Sequence, residues 1–503
     1  VTESTDLSAS VVIVGSGMGG GTLAWGLAQR GIDCLVVERG YALPREPQNW
    51  DPRAVFVDRR YKPLEMWSTP DGGSFAPGVH YVVGGNTKVY GSSLPRLRES
   101  DFLERRFPSG VSPAWPFTYA DLEPYYCDAE DLYRVHGDES DPFAPPRSRA
   151  YPYPALAQEP YIDDLLERLR AQGLHPGATS MGVDLREGGS CIRCGTCDGF
   201  PCQVWAKSDS EVCALRPAID TGHVRLVEGV TVRRLESRGD RVIALEADRA
   251  GEPIRITGGV FVLSAGAANS AALLLRSASD ERPQGLANAT GLVGRNYMVH
   301  NNTHIAAVAP FRMNDVVFQK TAAVNDFYED LGDGYAGGTL QLIGKVQGSM
   351  MKTHATTVPE FVLDRFADRS VEWLVMSEDI PDPQNRITLD ARGGIVVQWR
   401  RTNYDRHEKL LATAKSIFRR AGYPAVFEQR FTIDMNSHMC GTAVGGSDRS
   451  TSVLDPWCRA HDVPNLFLVD SAFFPSSAAQ NPAMTIAAQA LRVAAEVNWS
   501  AAA

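Results

Sequence analysis

The 503-residue sequence predicts an α/β protein in which a strand–helix–strand portion built on parallel pairing carries an antiparallel-sheet portion of α+β character. Three observations predict it. Residues 11–38 read as strand, glycine-rich turn, helix and strand. Residues 300–435 switch to the alternation of apolar and polar side chains that antiparallel strands show. Leu466-Phe467-Leu468-Val469 then returns to a short continuous apolar run, the pattern of a parallel strand covered on both faces.

The elements follow in order. Val11-Val12-Ile13-Val14 enters the turn Gly15-Ser16-Gly17-Met18-Gly19-Gly20-Gly21. Residues 22–30 continue as a helix that Gly31 ends, and residues 34–38 form a second apolar strand closing on Glu38. Residues 41–80 are rich in proline and glycine and read as an extended surface excursion, and Gly84 to Gly91 is a second glycine-rich loop. Residues 115–132 read as loop then helix, 138–160 as a proline-rich linker, 161–172 as a short amphipathic helix and 207–215 as a helix. Strand alternation fills 223–264, and a helix starts near 271. In the antiparallel portion, 386–389 and 395–399 are strands and 404–420 is one long helix. Residues 482–497 form a last helix rich in small side chains.

Composition excludes several classes. The net charge of −10, from 50 basic and 60 acidic residues, disfavours a polyphosphate partner, so no nucleic acid is expected. No apolar run approaches the roughly 18 residues of a spanning helix, and residues 1–10 carry no signal-peptide pattern. No membrane association is expected, and the cytoplasm is the expected compartment. Nine cysteines, an odd number unevenly spaced, do not form a secreted disulfide framework.

Gly15, Gly17 and Gly20 form the pattern G-x-G-x-x-G between a strand and a helix. Gly15 permits the tight turn, Gly17 lets the backbone approach a pyrophosphate, and Gly20 lets the helix sit close to the strand. The helix N-terminus then turns its free N–H groups and dipole toward the phosphates. Glu38, 23 residues after Gly15, is placed to accept from a ribose hydroxyl and would repel a 2′-phosphate. This portion is therefore Rossmann-like, although the fingerprint alone does not separate FAD from NAD. Asn481-Pro482 opens the last helix as a favoured cap followed by a favoured first residue. Such a terminus beside an isoalloxazine ring would stabilise the anion of the reduced flavin; an ordinary capped helix is the plain alternative. His438, followed by Gly441-Thr442, is a candidate base for removing a hydroxyl proton while hydride leaves carbon, against the alternative of a structural histidine.

With these motifs in place, the chain resembles the glucose–methanol–choline (GMC) oxidoreductases along nearly its whole length. The likeness runs through the first loop, Gly84-Gly85-Asn86 with Tyr90-Gly91, Trp115 with Tyr125-Tyr126 and Glu130, and Leu263 to Ala267. It continues through Gly294-Arg295-Asn296 to His300, Asn385-Arg386, His438 to Thr442, and Val469-Asp470 through Phe474-Pro475 to Asn481-Pro482. The resemblance implies FAD held by three separated segments, with a sheet domain over the flavin and His438 and Asn481 as the catalytic pair. On that reading residues 1–100, 186–300 and 437–503 are FAD-binding segments, the second with a Cys-rich insert. Residues 101–185 and 301–436 form the linker and substrate domain. Cofactor contacts are expected from Gly15, Gly17, Gly20, Glu38, Gly85, Asn86, Ala265, Asp470, Asn481, Pro482 and Met484. His300, at a family position, is expected to be structural.

Within the family the sequence is similar to pyranose oxidases, including bacterial flavoenzymes that oxidise sugars and C-glycosides at carbon 3. The resemblance implies oxidation of a secondary hydroxyl of a pyranose or glycoside, at carbon 3 or carbon 2, to a keto sugar, with hydride transfer to flavin N5 and oxygen or another electron acceptor. Fungal pyranose oxidases attach FAD through a histidine in the second glycine loop; Gly84 to Val89 has none, so non-covalent FAD is expected, with His80 nearby. The run Cys191-x-x-Cys194-x-x-Cys197-x-x-x-x-Cys202 approaches iron–sulfur and zinc spacings without the proline that follows the last ferredoxin cysteine. Structural thiols and no metal are expected. The alternative is a sugar or polyol dehydrogenase passing electrons to an iron–sulfur centre or partner. A flavin-binding module without activity, and a sterol or long-chain alcohol oxidase, are the remaining alternatives. Gln319, Lys320, Asn325, Asp434 and Asn436 are weaker pocket candidates.

Overall fold

The computed structural model describes residues 7–502, so the expectation for residues 1–6 lies outside the described residues. A seven-stranded sheet takes strands from far-apart parts of the chain. In spatial order they are Val224–Val227, Cys34–Val37, Leu7–Val14, Glu252–Leu263, Arg241–Arg249 and Val230–Arg238, with Leu466–Leu468 also pairing with Glu252–Leu263. The parallel centre is in register through Val11 with Cys34, Val14 with Leu263, and Leu263 with Leu468. Its side chains are covered on both faces: Val12, Ile13, Leu35, Val36, Phe261 and Phe467 are wholly buried. That is why these strands read as continuous apolar runs rather than as alternation. The first strand starts at Leu7, ahead of the apolar run, because Leu7 to Ala9 pair with Ile256 to Gly258 at the more exposed end.

The first helix spans Met18–Ala28, four residues earlier than the sequence suggests. Its opening turn is glycine because the backbone beside it comes very close. A Cβ on Gly19 would lie 2.0 Å from the Val469 carbonyl oxygen, and one on Gly20 2.0 Å from that of Gly15. The helix Ala267–Arg276 likewise starts earlier than expected, after Gly266 at φ +87°. The helix expected over 207–215 is displaced. Residues 207–209 are buried and not helical; helical backbone begins at Ser210 and runs as a wide π-helical stretch over Glu211–Leu215 into the α-helix Arg216–Asp220. The helix Ala483–Glu496, followed only by the short helix Trp499–Ala502, packs on the first, with Gly26 against Ala494.

A second, six-stranded sheet is ordered Ala425–Arg430, Asn301–Val308, Ser370–Ser377, Gly338–Leu342, Ala322–Val324 and Gly177–Ala178, and every pairing in it is antiparallel. The helix Tyr404–Arg420 covers one face, burying Leu410, Leu411, Ala414, Ile417 and Phe418 against Ile305, Trp373 and Val375. Each sheet therefore has its own apolar core. The excursion over 41–80 is not merely superficial. Trp67–Ser68 and Ser74–Phe75 join Arg386–Leu389 and Ile395–Gln398 in a four-stranded sheet, and Gly78 to Tyr81 line an internal cavity. Among the described residues no helix is long and apolar enough to cross a membrane.

Candidate active site

One cavity of about 930 Å³ is lined by residues of both large sheets. At one end the first glycine turn holds its shape through Gly15 N–H donating to the Val37 carbonyl (2.8 Å), with Gly15 at φ +98°. A Cβ on Gly17 would meet nothing within 4 Å, so this part of the backbone lies open to the cavity. Gly20 does not line the cavity; it serves the close approach to Gly15. Glu38 is buried at the edge of the cavity. Its carboxylate accepts from the Ser16 N–H (3.0 Å), the Ser16 hydroxyl (2.7 Å) and the Gly40 N–H (2.9 Å). Burial pushes its proton affinity up, and those three donors oppose it. Ser16 also accepts from Gly84 N–H at 3.0 Å, which ties the first glycine loop to the second.

The second loop places Gly84 and Gly85 at φ +87° and +55°, and Gly85 faces Gly17. Asn86 braces the loop by donating to the Gly78 carbonyl (3.1 Å) and accepting from His80 N–H (2.8 Å). Beneath it Lys88, almost wholly buried, bridges Asp209 (2.9 Å) and Glu211 (2.7 Å). Ala265 and Gly266 line the cavity from the end of the long strand, and Asp470 lines it from the end of the last one. The Asp470 carboxylate accepts from Gly266 N–H (3.0 Å), the Ser270 hydroxyl (2.5 Å) and Ala472 N–H (2.8 Å), so it locks the turn before the helix Ala267–Arg276. Ser264 Oγ is buried beside the cavity without a protein partner.

At the other end His438, Asn481 and Pro482 line the same cavity, with Ala483 and Ile486. Met484 does not. It lies wholly buried in the core, because a helix starting at 483 turns 484 away from the cavity and 483 and 486 toward it. No side chain caps this helix; Asn481 stands before it, and its Oδ1 accepts from Ser93 Oγ at 3.4 Å. Gln341 in turn donates to Ser93. His438 retains some accessible surface, yet that surface opens into the cavity and protein surrounds the rest of the ring. This surrounding, with a second imidazole beside it, pushes its pKa down to about 3, so it stays neutral. That second ring is His300: the two Nδ1 atoms lie 2.9 Å apart.

The residues fit a dinucleotide of the FAD type. Two open glycine turns, a carboxylate at the end of the second strand and an unpartnered hydroxyl line one end, and a histidine and an amide line the other. Comparison with known proteins decides the family. The N-terminal GMC oxidoreductase model matches residues 82–302 and the C-terminal one residues 381–490, about two thirds of the chain between them. The chain is a GMC oxidoreductase. A model for an NAD(P)-binding Rossmann-like domain also matches residues 13–43. As a member of this family the protein is an FAD-dependent oxidoreductase acting on CH–OH donors. This GMC oxidoreductase is 29% identical to paromamine 6′-oxidase of Streptomyces fradiae, over 99% of its own length and 92% of that protein's. It is 27% identical to the fructose dehydrogenase large subunit of Gluconobacter japonicus, over 97% of each. In fold it resembles the crystal structure of pyridoxine 4-oxidase from Mesorbium loti, with a TM-score of 0.70 and 18% identity, covering 97% of this chain and 98% of that one.

Several lining residues of this GMC oxidoreductase are missed by sequence reasoning. Asn302 donates to Asn436 (3.3 Å) and leaves its own Oδ1 buried and unpartnered beside the cavity. Ser93 and Gln341 also line it, as does His80, which the sequence already places near the second glycine loop. Of the weaker candidates Lys320 reaches the cavity, where it pairs with Asp198 (3.3 Å). Gln319 instead donates to the buried Glu372 (2.7 Å), Asn325 accepts from Thr339 (2.8 Å), and Asp434 is exposed. All nine cysteines are free thiols, and Cys191, Cys194, Cys197 and Cys202 are half-buried. Among the described residues no group of three or more His, Cys, Asp or Glu side chains is arranged to hold a metal ion.

Proposed function

We propose that the protein oxidises a secondary hydroxyl of a pyranose sugar or glycoside, C-glycosides included, at carbon 3 or carbon 2, to a keto sugar. The observation that carries this reading is the convergence of His438 and Asn481 on the cavity that the two glycine loops also line. Bound FAD supplies the hydride acceptor. Neutral His438 takes the proton of the substrate hydroxyl, and Asn481, whose oxygen is engaged by Ser93, presents its amide N–H groups to the hydroxyl oxygen. The unpartnered Asn302 oxygen and the Gln341 side chain suit a ligand rich in hydroxyl groups. The sugar-directed names of paromamine 6′-oxidase and fructose dehydrogenase support the substrate class. Anaerobic mixing with a panel of sugars, glycosides and a sterol tests it. Bleaching of the flavin by sugars is expected; bleaching by the sterol alone, or by nothing, overturns the reading.

Oxygen is the proposed acceptor, and admitting air should restore the yellow colour within the turnover time. The second reading, a dehydrogenase passing electrons to an iron–sulfur centre, draws on the four thiols packed into residues 191–202. Stoichiometric iron and acid-labile sulfide, with slow recolouring in air, would establish it over the oxidase.

We further propose that FAD is held without a covalent bond, since residues 84–89 contain no histidine. Denaturation and filtration should release all the flavin. Flavin retained by the chain would overturn this and point to His80, which lines the cavity.

A further inference from the structure

We propose that His300 sets the tautomer of His438, leaving His438 Nε2 as a bare lone pair toward the cavity; His300 is thus a positioning residue. The inference deepens the reading of His438 as the base and rests on it. It follows from a chain of donors and acceptors with a single solution. The Ser477 carbonyl lies 3.0 Å from His300 Nε2, and a carbonyl only accepts, so that nitrogen carries a proton. Burial pushes the pKa of His300 down to about 4 and that of His438 to about 3, so each ring holds one proton at neutral pH. His300 Nδ1 is therefore unprotonated. The 2.9 Å contact between the two Nδ1 atoms needs one hydrogen, which only His438 Nδ1 can supply. His438 Nε2 is then the unprotonated nitrogen, and the ring's accessible surface opens into the cavity.

The anchor of this relay is rigid. Ser477 is buried, its hydroxyl donates to the Asp379 carbonyl (2.9 Å) and accepts from Asp379 N–H (3.2 Å), so its own carbonyl is fixed in place. The rings meet nearly edge-on, at 81°. His300 directly precedes the strand Asn301–Val308, so the antiparallel sheet carries the orienting ring while the C-terminal segment carries the oriented one. A hydrogen bond from one ring nitrogen deciding which other nitrogen is free is how imidazole bases are ordinarily set.

The test has two arms. In the first, 15N NMR of the histidine-labelled holoenzyme, assigned by signal loss in H438Q and H300N, reads the tautomer. The expected result is a protonated Nδ1 and an unprotonated Nε2 in His438; a protonated Nε2 overturns the proposal. In the second, anaerobic flavin reduction by sugar is compared in H300L and H300N. H300L removes the acceptor and should slow the limiting reduction rate about 10- to 100-fold with little change in substrate affinity. H300N offers an amide oxygen at that position and should regain most of the rate. Parent-like reduction in H300L, or equal loss in both variants with flavin still bound, overturns the proposal. H438A separates the two readings: if it reduces flavin at the parent rate, the base assignment itself fails, whereas its failure to do so alongside an unaffected H300L sinks only the role of His300.

Discussion

Replacing His438 with alanine should slow flavin reduction by sugar about 10²- to 10⁴-fold, the range that a positioned acid–base group supplies. The substitution removes the imidazole that borders the cavity and leaves the glycine turns, Glu38 and Asp470 untouched, so FAD should stay bound and the yellow spectrum should be retained. The hydroxyl proton then has only solvent as acceptor. H438N is expected to behave like H438A, because an amide cannot take the proton. Stopped-flow reduction under anaerobic conditions measures the loss directly. A variant that keeps flavin and reduces it at the parent rate would refute His438 as the base and move attention to His80, the other imidazole that lines the cavity.

The Lys88→Met variant should lose about 3–5 kcal/mol of stability, the cost of removing one partner from a buried ion pair. Lys88 and Asp209 are almost wholly buried and 2.9 Å apart, and Glu211 completes the bridge at 2.7 Å. Glu211 keeps a second cation in Arg216 (2.6 Å), whereas Asp209 has no other ion-pair partner among the described residues. Burial pushes the proton affinity of Asp209 up, and Lys88 is what opposes this. Without the lysine Asp209 takes up a proton more readily, so the deficit should shrink as pH falls, because protonation removes the uncompensated charge. Urea unfolding of the holoenzyme at neutral and mildly acidic pH gives both quantities. A loss below 1 kcal/mol would show that the buried cluster has relaxed or admitted water. Because Lys88 packs under Gly84, FAD should also dissociate faster.

The nucleotide end of the cavity is legible in the sequence because its signals are local. Gly15, Gly17 and Gly20 sit within six residues, and Glu38 follows at the distance of one strand–helix–strand unit. The other end is legible only in part. His438 and Asn481 stand out through their glycine and proline neighbours, but His300 reads as structural because its partner lies 138 residues away, about one domain's worth of chain. Asn302, Ser93 and Gln341 belong to a strand, a loop and another strand, and nothing in their immediate neighbours distinguishes them from ordinary polar residues. Met484 fails for a different reason. A helix repeats every 3.6 residues, so an error of one residue in phase turns a pocket residue into a core residue. The helix expected at 207–215 starts later, at Ser210, because Lys207 is held in place by its buried ammonium, which donates to the Cys197 and Phe200 carbonyls at 2.8 and 2.7 Å.

The pairing of Leu466–Leu468 with the long strand, and of the helix Ala483–Glu496 with the helix Met18–Ala28, has a consequence for biosynthesis. At about 5–20 residues per second, the ribosome takes roughly 20–90 s to pass from the first helix to the strand that completes its sheet. For that interval Gly19 and Gly26 of the first helix lack the late neighbours they meet in the finished molecule, Val469 and Ala494, while the strand Cys34–Val37 and the turn Glu211–Leu215 cover other parts of the helix earlier. The nascent chain therefore carries an incompletely covered apolar surface through most of its synthesis, and the part of the cavity wall formed by Asn481, Pro482, Ala483 and Ile486 is added only near its end. Completion of the flavin cavity should then coincide with the end of synthesis rather than with the emergence of the N-terminal half.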